Sequence, residues 1–143
     1  MTSLLELYAD AENAGIDVDW FSMEQAPSLS AVLPDGQLCI ALDPWKIDSI
    51  AYETTALAHE LGHCATGSFY NLYAACDVRE KHEHRADKWA IDRLIGKENF
   101  WNAIRSGCTE LWDLAEFFGV TEDFMRRAAC WYRFGNLAAD AYL

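Results

Sequence analysis

The chain has 143 residues, 52% of them apolar, and 11 Lys+Arg against 23 Asp+Glu give it a formal charge of −12. That length suits one hydrophobic core and a single domain spanning residues 1–143. The acidic balance repels phosphate backbones, which argues against direct nucleic-acid binding and suits a basic protein partner.

No apolar stretch reaches the roughly 18 residues of a membrane span. The opening residues carry Glu6, Asp10 and Glu12 where a signal peptide would carry basic groups, so a cytoplasmic protein without membrane contact is expected. Residues 2–14 follow a helical spacing through Leu4, Leu5 and Tyr8, with Gly15 placed to cap them. The period then changes to two. Ile16, Val18 and Trp20 alternate with Asp17 and Asp19 as in a half-buried strand. Residues 29–33 and 38–42 flank the turn signal Pro34-Asp35-Gly36-Gln37, predicting a hairpin. A short antiparallel sheet is therefore expected, with residues 37–43 as the edge segment that pairs with an extended peptide.

Asp48 or Ser49 is available to cap a helix that begins near Ala51 and runs into His59-Glu60-Leu61-Gly62-His63. Side chains at i and i+4 share one helix face, about 5–6 Å apart at Cβ, so both imidazoles reach one Zn²⁺. Glu60 then stands beside the open coordination position as a general base for metal-assisted amide hydrolysis. Chance would write this motif in roughly one chain in a hundred of this composition, so its surroundings must support it. They do, because the flanking residues 51–58 contain neither Pro nor Gly.

A catalytic zinc takes three protein ligands, so one more is needed. Residues 67–80 read as an irregular connection in which Tyr70, Tyr73 or Asp77 stands near the site, a tyrosine there being a candidate oxyanion donor. A second helix opens around Lys81. Glu83 shares its inward face with Ala86, Ala90 and Leu94 and is the expected third ligand. Asp87, one turn on, is placed to accept the outer N–H of a ligand imidazole. His82 and His84 are rival ligands, but each lies about 100° round the helix from Glu83. Gly96 is expected to stop this helix.

These two helices resemble the gluzincin arrangement of thermolysin-like proteases, and more closely the ImmA/IrrE family of bacterial, phage and mobile-element metallopeptidases. The resemblance rests on Leu57-Ala58-His59-Glu60-Leu61-Gly62-His63 and Glu83-His84-Arg85-Ala86-Asp87-Lys88-Trp89-Ala90. It extends to the linker Gly67-Ser68-Phe69-Tyr70-Asn71 and to residues 109–118. Where many members end the second helix in a leucine-methionine-proline stop, this chain has Leu94-Ile95-Gly96. The resemblance implies a zincin-like core, orientation of His59 by Asp87, and a zinc protease that cleaves a helix-turn-helix repressor. The expected class is thus α+β: a small zincin-like domain with a core in residues 1–96 and a C-terminal helical bundle in residues 97–143.

That bundle is predicted as helices at about 98–106, 109–118 and 121–134, separated by Gly107 and Gly119. The last two have the length and turn of a helix-turn-helix, which raises the alternative of a DNA-binding protein. Against it, the would-be recognition helix opens with Glu122-Asp123, while Trp131, Tyr132 and Phe134 look like core. If these helices dock a protein instead, Arg126 and Arg127 are the cations they offer. A further alternative is a metal-bound regulator that sequesters a repressor without cutting it, although sequestration needs no general base. The five cysteines form no C-x-x-C pair, and Cys64 beside His63 reads as packing; a Cys-His nucleophilic site would leave the H-E-x-x-H pattern unexplained.

Overall fold

The computed structural model describes residues 2–69 and 76–137, with the backbone alone at 76–78. Helix α1, Leu4–Asn13, starts where the Ser3 hydroxyl accepts from the Glu6 amide, and it buries Leu7 and Ala11. Gly15, at φ +70°, turns the chain so that the Ile16 amide closes back on the Ala11 carbonyl at 2.9 Å.

Strands β1 (Asp17–Trp20), β2 (Ser28–Val32) and β3 (Leu38–Leu42) form a sheet of order β1-β3-β2. The predicted hairpin is present, with Ser28 opposite Leu42 and Val32 opposite Leu38. The sheet is mixed and not purely antiparallel, because β1 runs parallel to β3 with Asp17 opposite Cys39. The reason lies in composition. Leu38-Cys39-Ile40-Ala41-Leu42 is a continuous apolar run and takes the central place, whereas β1 and β2 alternate and flank it. Residues 37–43 are consequently no edge: β3 is paired on both sides, and the open edge nearest the motif helix belongs to β2.

Helix α2, Ile50–Thr66, is capped by Ser49, whose hydroxyl accepts from the Tyr52 amide at 3.1 Å, and ends at Gly67 in the left-handed conformation. Helix α3, Cys76–Leu94, begins earlier than expected, so residues 76–80 are helical and not irregular. Asp77 lies in that first turn; Tyr70 and Tyr73 lie outside the described residues. Helices α2 and α3 make the most extensive packing in the fold, and its closeness depends on one residue. A Cβ at Gly62 would stand 2.5 Å from the Ala86 carbonyl oxygen, so the two backbones meet across a Gly and an Ala.

Gly96, at φ +83°, separates α3 from α4, Lys97–Arg105; α5, Leu111–Phe118, and α6, Glu122–Phe134, follow. The class is α+β, with six helices and three strands among the described residues. Leu42, Leu57, Ile91, Phe100, Phe124 and Met125 are fully enclosed in one core that joins the sheet, the motif helix and the C-terminal helices. Trp131 and Tyr132 pack against that core as expected. Phe134 does not: it is 72% exposed, because it ends α6 on the turn that points away from the core. Among the described residues no helix is long and apolar enough to cross a membrane.

Candidate metal centre

Helix phase brings the three expected ligands together. His59 Nε2 lies 3.1 Å from His63 Nε2, and Glu83 reaches both, with Oε2 at 2.8 Å from His59 Nε2 and Oε1 at 3.1 Å from His63 Nε2. Among the described residues this trio forms a group whose ligand atoms all fall within 4.8 Å of one another. His82 and His84 are outside it; His84 faces Glu80 at 3.7 Å, one turn back on its own helix.

The outer ring nitrogens determine what the inner ones can do. His59 Nδ1 meets Asp87 Oδ1 at 2.8 Å, and His63 Nδ1 meets the Ser68 carbonyl at 2.7 Å. Both oxygens only accept, so each Nδ1 carries its proton there and each neutral ring presents a bare Nε2 inward. Two lone pairs and a carboxylate therefore face one another. Such a cluster is satisfied by a cation or by a shared proton, and a metal of borderline softness matches a donor set of two imidazoles and one carboxylate.

The protonation balance tells the same story. Burial disfavours a charged His59, yet hydrogen bonds to Asp87 and Glu83, with the charges of Asp87 and Glu60, push it up to about 10. Glu83 is raised by burial but held well below the usual carboxylate range by hydrogen bonds and charge from His59 and His63. The same surroundings that favour a proton on His59 favour a cation held between these groups.

Local structure delivers each group. The left-handed Gly67 after α2 folds the chain back, so that Ser68, fully buried, turns its carbonyl onto His63. Phe69 stacks beside that ring, centroids 6.5 Å apart. Glu60 is 5% exposed, and its Oε2 accepts from the Ser28 hydroxyl of β2 at 2.7 Å. Asp87 is as enclosed as Glu60, and its second oxygen accepts from Arg127 Nη1 of α6 at 2.8 Å. Arg127 is thus turned inward, and of the two arginines expected to face a partner only Arg126 is left largely on the surface.

Ser28, Ser68 and Arg127 were not expected at the site. Each arrives through a turn or a tertiary contact that no local pattern encodes, although Gly67-Ser68 carries a weak signal as a helix stop. Burial, with the charge of Glu60 and neighbouring Cys39, pushes the Cys64 thiol up to about 11, which disfavours the thiolate that a nucleophile needs.

Two cavities open on either side of this centre. One, of about 460 Å³, is lined by Tyr52, Thr55, Phe124 and Arg127; the other, of about 780 Å³, runs along Met23, Ala26 and β2 to Glu60, His63 and Phe69. His59, Glu83 and Ser28 border both. Comparison with protein-family models, with curated proteins and with solved structures finds no match to this chain.

Proposed function

We propose that this protein is a zinc-dependent metallopeptidase whose ligands are His59, His63 and Glu83, whose general base is Glu60, and whose substrate is a helix-turn-helix transcriptional repressor. One observation carries the metal: three acceptor side chains converge with their outer donors already committed. When bound, Zn²⁺ lowers the pKa of a coordinated water toward ~7 and polarises the scissile carbonyl.

The chain's own groups do the rest. Ser28 occupies Glu60 Oε2, which leaves Oε1 to take the proton of the attacking water and to return it to the leaving amine nitrogen. Asp87 and the Ser68 carbonyl hold the two rings in the tautomer that offers Nε2 inward. The open edge of β2 borders the larger cavity at Ser28, Leu29 and Ser30, and an extended peptide pairing there crosses the centre with residues on both sides of the scissile bond.

The choice of a repressor draws on the likeness of α2 and α3 to ImmA/IrrE peptidases and on the −12 charge, which favours a basic partner. The rival reading of α5 and α6 as a DNA reader is weakened by Arg127, whose guanidinium is engaged by Asp87 and Asp123 and is not directed outward. Sequestration without cleavage would not need Glu60 to be buried and held. Metal stoichiometry of purified variants tests the centre: Glu83→Ala loses zinc and peptidase activity together, whereas His82→Ala and His84→Ala retain one zinc per chain. Release of zinc by His84→Ala, with Glu83→Ala unaffected, would transfer the third ligand to His84.

A further inference from the structure

Helix α6 is tied to the metal centre through Arg127. Asp87 is 5% exposed, and each of its oxygens has one partner: Oδ1 the His59 ring, Oδ2 the Arg127 guanidinium at 2.8 Å. Arg127 is itself fixed from the other side, where its Nη2 donates to Asp123 Oδ2 at 2.7 Å, one turn earlier on α6. A chain of charge-assisted hydrogen bonds therefore runs from the first turn of α6 through α3 to a ligand on α2. Elsewhere α6 meets α3 through the Tyr132 hydroxyl, which lies 3.0 Å from Asp92 Oδ1, and through Lys88 over the Trp131 ring, neither of which touches a ligand.

We infer that Arg127 is a positioning residue for the metal centre: by holding Asp87 Oδ2 it keeps Oδ1 aimed at His59 Nδ1 and so sets the direction of His59 Nε2. A buried carboxylate deprived of one donor must rotate toward another or recruit water, and either movement disturbs its remaining bond. Helix α6 is on this account a working part of the site. The inference rests on the metal-site reading proposed above.

Charge and positioning predict opposite signs for the same substitution, which makes the role measurable. Removing a cation close to a metal site favours the incoming Zn²⁺ by Coulomb's law. Losing the clamp on a ligand's outer partner weakens the metal, typically 10–100-fold for such residues. The experiment is competition for Zn²⁺ between the full-length protein and a chromophoric chelator, with folding of each variant checked by circular dichroism.

Arg127→Met is expected to bind Zn²⁺ about tenfold more weakly than wild type. Arg127→Lys, which retains one donor, recovers part of the loss, and Arg126→Met, whose partner is Asp123 alone, matches wild type. With Asp87→Ala already in place, adding Arg127→Met costs nothing more, because the link it serves is gone. Equal or tighter zinc binding by Arg127→Met would overturn the inference while leaving the metal site standing. An additive loss in the double variant would also overturn it. A wild-type protein that binds no Zn²⁺ would remove the metal site itself, and the inference with it.

Discussion

Glu60 and Ser28 show how a single hydroxyl fixes a buried carboxylate, the base in the reaction proposed above. A carboxylate with four lone-pair sites in an enclosed setting adopts whichever rotamer its donors reward. Here Ser28 of β2 fixes one oxygen at 2.7 Å. Removing that hydroxyl frees the carboxylate without touching any ligand. Ser28→Ala should lower kcat for repressor cleavage by about three- to tenfold, the kinetic equivalent of one ordinary hydrogen bond, with KM and zinc content unchanged. Ser28→Thr, which keeps a hydroxyl, should retain most of the turnover. An alanine variant with wild-type kcat, or one that loses zinc, would show that the contact does not position the base.

At the scale of the element, the α2–α3 pair decides whether the ligands meet at all. Gly62 lies one residue before His63, and its missing side chain lets the Ala86 backbone approach to where a Cβ would stand 2.5 Å away. Backbone cannot yield as a flexible side chain would, so Gly62→Ala must push α3 outward, carrying Glu83 and Asp87 with it. Overpacking of this kind costs about 1–3 kcal/mol. The variant should therefore show a lower Tm and weaker zinc binding together; retained zinc affinity at reduced Tm would mean that the helices separate elsewhere.

The same pair shows what was legible beforehand. His59, His63, Glu83 and Asp87 follow helical spacing, which is local and periodic, so their common face could be read from the chain. The sheet order could not, because whether Leu38–Leu42 lies centrally or at an edge depends on where β1 inserts, a tertiary choice hinted at only by its unbroken apolar run. Ser28 and Arg127 stand 32 residues and 40 residues from the groups they hold, and no motif links them.

For the whole molecule, these parts place two cavities on either side of the ligands. The β2 edge and the loop from Met23 to Ala26 bound one side, α6 bounds the other with Phe124 and Arg127, and the three ligands lie between. The C-terminal helical subregion shares one core with the rest of the described residues, since Phe124 and Met125 are buried with Leu42 and Leu57. The C-terminal helices thus supply a wall beside the three ligands, through Thr121, Phe124 and Arg127.

The central claim is that Glu60 works with a metal held by His59, His63 and Glu83 to hydrolyse a peptide bond. Its most direct test is mass spectrometry of the products formed when zinc-loaded wild type and zinc-loaded Glu60→Gln are each incubated with a helix-turn-helix repressor, the substrate class proposed above. Both proteins should carry one zinc, because the substitution leaves every ligand in place. Wild type should yield two complementary fragments, and Glu60→Gln should yield at least about a hundredfold less, the loss expected for a missing proton shuttle. Equal fragment yields from the two proteins, or no zinc-dependent fragments from wild type, would contradict the account.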